Sequence, residues 1–237
     1  MKKRLALLLA LAMTASAVVA GCGSSSDSNS SSDENTESQE QTEVEFKEKE
    51  AGDTFTVGFD QDFPPMGFVG DDGEFTGFDL ELAQAVCDKL ELEFVAEPIA
   101  WDSKDALLNS GAIDCIWNGF TMTGREDDYT WTEPYMENTQ VFVVRNDSGI
   151  EGKDGLAGKV VECQADSSAE AALKEDPDLT ATFGQLLTTA DYNTAFMDLQ
   201  QGSVDAIAMD VIVAGYQIQQ RKADFKKIGR ASCRERV

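Results

Sequence analysis

At Asn118-Gly119-Phe120-Thr121-Met122-Thr123-Gly124-Arg125 an arginine, two threonines and a glycine without a side chain gather in one short stretch. An arginine fork suits a carboxylate, because its planar donors match the two oxygens. The preceding run, Ala112-Ile113-Asp114-Cys115-Ile116-Trp117, reads as a buried strand. Groups that leave the carboxyl end of such a strand sit where open α/β sheets bind ligands. The same residues also suit a polar surface loop in which Arg125 pairs with Asp127 or Asp128.

The elements that must position this stretch alternate along the chain. Thr54 to Phe59 reads as a strand, followed by an irregular loop through Phe63-Pro64-Pro65 and Gly70-Asp71-Asp72-Gly73. Gly77 to Leu90 carries Phe78, Leu82, Val86 and Leu90 at helical spacing, with acids in its first turn where the helix dipole favours them. A strand from Glu93 to Glu97, a short helix from Ser103 to Asn109, a strand from Ile113 to Trp117 and a strand from Gln140 to Arg145 follow. A second series then begins: a strand from Lys159 to Cys163, a helix opened by Ser167-Ser168 and a short strand from Thr180 to Phe183. It continues with a helix from Tyr192 to Gln201, a strand from Val204 to Met209 ending on Asp210, a helix to Gln220 and a strand from Phe225 to Ile228. Two successive α/β series predict two lobes, each around a mostly parallel sheet flanked by helices, with a cleft between them.

Composition narrows the chemistry. The chain has 237 residues, a formal net charge of −25 and no histidine. That charge repels nucleic acid. The missing histidines remove imidazole bases, His-based triads and His-containing metal sites. No metal or other cofactor is expected. Cys87, Cys115, Cys163 and Cys233 lack C-x-x-C spacing and read as small buried thiols, although a disulfide stays open outside the cytoplasm. Lys104 and Glu133 read as solvated charges.

Residues 1–22 form a targeting segment, with Lys2-Lys3-Arg4 before an apolar run from Leu5 to Ala20. Val19-Ala20-Gly21-Cys22 resembles a bacterial lipobox, which implies lipid on Cys22 and anchorage without a span. Residues 23–50 are Ser-rich and acidic with little to bury, a tether reaching about 30 Å.

One run is more specific. GFDLELAQAVCDKL resembles the signature of extracellular solute-binding proteins of the polar-amino-acid type, which serve bacterial ABC importers. VGFDQDFPPMGF, WDSKDALLNSGAID, TMTGRED, WTEPY, GKVVECQADSSAEAAL and GSVDAIAMD resemble further segments of that family, in order, from Thr54 to Ile228. The resemblance implies a type II periplasmic-binding-protein-like fold and no catalysis. Lobe 1 would cover residues 51–138 and lobe 2 residues 139–227. In the implied cleft Arg125 takes the α-carboxylate, with the N–H groups at Ser167 and Ser168. Thr121 and the Gly119 carbonyl take the α-ammonium, and Asp210 supplies its countercharge. Phe63 and Trp101 wall the side chain, Asp60 faces its distal end, and Asn118 and Gln164 complete the set. The arginine loop is one residue shorter than the common family form, which bears on the pose of Arg125.

Plainer roles suit the same residues. Asp210, Ser167 and Ser168 could cap helices, Phe63 and Trp101 could be core aromatics, and Asp60 a turn residue. An enzyme on this fold, or the sensing domain of a signalling receptor, are the competing functions. The expected partners are a free amino acid, the permease subunits of an importer and, through Cys22, the outer face of the cell membrane. The protein is expected to act as a monomer, and glutamine, arginine, lysine, histidine and cystine all stay open as ligands. Residues 228–237 hold three of the seven arginines and resemble a translated sequencing adapter. The resemblance further implies that the end of lobe 2, a second hinge strand and the closing helices of lobe 1 are missing, with apolar surface exposed on lobe 1; a genuine basic tail is the alternative.

Overall fold

The first lobe is built on a parallel three-stranded sheet, in a computed structural model that describes residues 48–221, 224–232 and 235–237. The targeting segment, Cys22, most of the tether and Cys233 lie outside the described residues. Strand β1 (Thr54–Phe59) is central, between β5 (Glu93–Pro98) and β6 (Cys115–Ile116). Between β1 and helix α1 (Phe78–Leu90) the loop expected to be irregular is a small antiparallel meander: β2 (Asp62–Phe63), β3 (Gly67–Val69) and β4 (Phe75–Thr76). A 3-10 turn (Trp101–Ser103) leads into α2 (Lys104–Asn109).

Strand β6 is shorter than the apolar run predicts, since Asp114 interrupts it. The Asp114 carboxylate accepts the Thr56 N–H at 2.8 Å, replacing a ladder bond with a side-chain bond. Backbone bonds from Asp114 to Thr56 and from Trp117 to Gly58 still carry the pairing to both ends of the run.

The second lobe has a five-stranded sheet ordered β10-β9-β11-β8-β12. Its strands are β8 (Gln140–Arg145), β9 (Val160–Gln164), β10 (Gln185–Thr189), β11 (Ala206–Asp210) and β12 (Phe225–Arg230). Only β8 runs against the others. Val141 and Val143 enter one core while Phe142 and Val144 enter the other, the period-2 signature of a strand buried on both faces. Helices α3 (Ser168–Glu175), α5 (Tyr192–Gln201) and α6 (Val211–Gln220) flank the sheet.

Residues 180–183, expected as a strand, are the end of helix α4 (Pro177–Thr180) and the turn after it. Asp176 caps that helix through the Leu179 N–H and Pro177 supplies a preset first turn, so the local Asp-Pro signal overrides the apolar run.

Two strands join the lobes. Strand β7 (Glu137–Asn138) leads into lobe 2, and β13 (Glu235–Arg236) pairs with it antiparallel. Residues 228–230 therefore complete β12, and residues 235–236 return along β7. The Val237 carbonyl accepts the N–H groups of Tyr135 and Met136, and Ala231 and Val237 are buried.

Helix α1 buries Asp79, Leu80, Ala83 and Cys87, while Phe78 and Leu90 stand exposed. Val86 and Leu90 line a groove of about 1200 Å³ on lobe 1, along with Phe55, Trp117, Trp131 and Val237.

Gly77, ahead of α1, is a position only glycine fits. Its φ is 132°, and a Cβ there would lie 2.3 Å from the Met66 carbonyl oxygen. That backbone cannot retreat, because the same carbonyl accepts the Asp79 N–H at 3.0 Å. Gly77→Ala should cost about 3 kcal/mol or more in urea unfolding; a loss under about 1 kcal/mol would mean that the loop relaxes freely.

Candidate functional site

Lobe 1 sets one wall of the cleft through a buried carboxylate. The Asp79 carboxylate, fully buried at the start of α1, accepts the Gly119 N–H and, at 2.8 Å, the Tyr135 hydroxyl. Burial pushes its pKa up to about 6, against the lowering effect of those two bonds. Gly119 has φ 59° and packs between Met66 and Phe63. Asn118 accepts the Asp60 N–H at 3.2 Å, tying the end of β1 to the same turn.

Aromatic rings support the next residues. Trp101 meets Phe120 edge-on at 5.3 Å, and Tyr129 and Trp131 each lie 5.1 Å from Phe120. The Arg125 guanidinium lies 5.1 Å from the centroid of the Phe120 ring, and its backbone carbonyl accepts the Trp131 indole N–H at 3.1 Å. This aromatic support gives the arginine loop a fixed exit. From it, Arg125 Nη1 donates to the Ser168 hydroxyl at 2.9 Å and to the Thr121 carbonyl at 3.3 Å. Nη2 donates to the Asp166 carbonyl at 3.3 Å. Arg125 therefore spans the cleft and makes no ion pair with Asp127 or Asp128.

Lobe 2 supplies the other wall. Ser167 caps α3 by accepting the Glu170 N–H at 3.1 Å, and the first N–H groups of that helix have no partner within it. They form a positive end suited to an anion. Asp210 precedes α6 but makes no side-chain cap. Its carboxylate accepts the Gln140 amide at 2.9 Å and the Asn138 amide. Burial pushes its pKa up to about 6, and Glu235 nearby adds to the rise. A buried carboxylate held only by neutral amides retains its demand for a cation.

Phe63, Trp101, Asn118, Gly119, Thr121, Gln164, Ser167, Ser168 and Asp210 line one small cleft of about 20 Å³, together with Phe120. Of the residues expected there, Asp60 and Arg125 stand off the wall. Asp60 lies behind Gln164, accepting its amide at 2.6 Å and the Asp62 N–H at 2.8 Å, so the turn role is real. Burial pushes the Asp60 pKa up to about 6. Ser167 is likewise a cap, and Phe63 and Trp101 are buried, so their plainer roles coexist with the cleft.

Lys104 corrects an expectation. Far from being solvated, it is 1% exposed and pairs with the Asp166 carboxylate of lobe 2. Its place on the inner side of α2, against Trp101, explains the burial. Glu133 is exposed. Asp79, Phe120, Asn138 and Gln140 were not singled out in the sequence. Only Asp79 carried a signal, an acid beside Leu80 on the helix face that also holds Ala83 and Cys87. Cys87 and Cys163 are buried free thiols, and Cys115 is half-buried.

Known proteins share this fold. The pattern of the bacterial extracellular solute-binding proteins, family 3, matches residues 55–201. The L-cystine-binding protein TcyJ of Escherichia coli K12 is 34% identical over 171 residues, covering 71% of this chain and 62% of that protein. The ABC transporter arginine-binding protein 1 of the same organism is 26% identical over 164 residues, covering 69% and 65%. The chain thus spans less than two thirds of the length of these relatives. An ABC uptake transporter substrate-binding protein from Streptococcus pneumoniae, solved with bound histidine, superposes with a TM-score of 0.75 at 33% identity. That match covers 78% of this chain and 77% of the other. Arginine-bound ArgBP from T. maritima, a Gly52Ala mutant in its own numbering, gives 0.70 at 26% identity, covering 78% and 85%. With two lobes of the type II periplasmic-binding-protein kind around a shared cleft, this chain belongs to the bacterial extracellular solute-binding proteins, family 3.

Proposed function

We propose that the cleft captures a free polar or cationic amino acid and that the protein delivers it to the permease of an ABC importer. The observation that carries this reading is the pairing of opposite charges from opposite lobes: Arg125 from lobe 1 reaches the start of α3, and Asp210 of lobe 2 is buried at the cleft wall. A zwitterion loses its hydration at high cost unless both charges find partners. Arg125 with the α3 N–H groups would take the carboxylate, and Asp210 with Thr121 and Gly119 the ammonium. Phe63, Phe120 and Trp101 would enclose the side chain. Asp60 would bear on its distal end through Gln164, and Asn118 would hold the turn.

The relatives that bind cystine, arginine and histidine favour this ligand class. An enzyme is the weaker reading, because both charged groups are already committed to holding the zwitterion. By the sequence of residues 1–22 we infer anchorage outside the cytoplasm through lipid on Cys22, and we propose that the protein acts as a monomer. A thermal-shift screen of the twenty amino acids and cystine tests the binding reading. A true ligand raises the melting temperature progressively with concentration. Flat melts for every compound would reject it.

A further inference from the structure

A lysine almost removed from water, with its carboxylate partner on the other lobe, is an unusual expense unless contact between the lobes is its purpose. Lys104 is 1% exposed, with its Nζ 5.2 Å from the Trp101 ring centroid and 5.9 Å from that of Phe120. Its carboxylate partner is Asp166, half exposed on lobe 2. Burying an ammonium is costly unless a charge compensates; here the compensation arrives only when the lobes meet.

Asp166 is set for this contact. Its φ of 56° lies in the left-handed region, which Asp and Asn tolerate best among residues with side chains. The Glu170 carboxylate holds its N–H at 2.7 Å, and its carbonyl accepts Arg125. One residue of lobe 2 thus receives two cations of lobe 1, Lys104 on its side chain and Arg125 on its backbone. Ser167 and Ser168, the start of the proposed anion site, follow it directly in the chain. Opening the cleft would break both links together.

We propose that Lys104 and Asp166 form an interlobe latch that sets the population of the closed form, acting as positioning residues that do not touch the ligand. The latch concerns the cleft of the preceding section and rests on that reading for its use in ligand retention; its existence is testable without any ligand. Closure governs apparent affinity, because a ligand that needs the closed form binds in proportion to its population.

The test is the distance between the lobes in ligand-free protein. Spin labels go on p-acetylphenylalanine at the exposed positions 84 and 178, so the native cysteines stay untouched. Asp166→Asn keeps the left-handed backbone and removes the charge. We expect the short-distance population to fall by about threefold or more in Asp166→Asn and in Lys104→Met. The double variant should fall no further than either single one, and 0.5 M NaCl, which screens a buried pair only weakly, should change the wild type less than either substitution does. Unchanged distances in Asp166→Asn, a residue half exposed and safe to alter, would overturn the latch even if Lys104→Met failed to fold. Additive effects in the double variant would overturn it too. Flat melts in the amino-acid screen alongside shifted distances would leave the latch standing and reject only the ligand class.

Discussion

Arg125→Ala is expected to abolish the ligand-dependent thermal shift. Two charge-assisted bonds to a carboxylate contribute about 1.5–3 kcal/mol each, so affinity should fall at least about 100-fold. A ligand supplied at roughly 100 times its dissociation constant stabilises by about 2.7 kcal/mol, and that stabilisation would shrink to a few tenths. The unliganded protein should lose less. There Arg125 contributes bonds to Ser168, Thr121 and Asp166 and a contact with the Phe120 ring, all partly open to solvent. Arg125→Lys keeps the charge but not the planar fork, so it should recover only part of the affinity. Glu133→Gln, an exposed change, should leave binding alone. Isothermal titration decides the matter: an Arg125→Ala protein that binds within threefold of wild type would remove the arginine from the carboxylate site.

Legibility in the sequence followed the range of each interaction. Helix α3 and strand β9 were readable because capping and alternation act within a few residues. The strand expected at 180–183 failed for the same reason in reverse, since the Asp176-Pro177 turn acts more locally than the apolar run beside it. The wall residues were found through an ordered set of motifs, and nine of them do line one cleft. What stayed hidden was long-range. The carboxylate of Asp79 meets Gly119 across 40 residues, and that of Asp166 meets Lys104 across 62. An acid in the first turn of a helix has a sufficient local explanation in the dipole, which conceals its use as an acceptor for a distant loop. A lysine between two acids, as in Asp102-Ser103-Lys104-Asp105, has likewise every local reason to look solvated. Only the packing of α2 against Trp101 turns it inward.

Asp210 should make amino-acid binding depend on pH, with affinity falling in acid. Burial raises its pKa from 3.8 to about 6, so in the unliganded fold it holds its proton more tightly than in the unfolded chain. Such a group takes stability away as pH rises from 3.8 to about 6, and the loss is complete above that range. A bound α-ammonium reverses the preference by favouring the carboxylate, so binding below about pH 6 must expel a proton. Affinity is therefore expected to be level above pH 7 and about tenfold weaker at pH 5. Asp60 and Asp79, also raised to about 6, and Glu162, raised to about 7, titrate in the same range, so the wild-type curve alone cannot be given to Asp210. Asp210→Asn separates them. Its amide oxygen can still accept from Gln140 and Asn138, which keeps the wall in place, while the countercharge is gone. At pH 7.5 this variant should bind about 100-fold more weakly, the expected result of leaving a desolvated ammonium without its partner. Its remaining affinity should show a flatter dependence between pH 5 and 7.5. An Asp210→Asn protein with wild-type affinity, or with an undiminished loss in acid, would show that the ammonium is held elsewhere in the cleft.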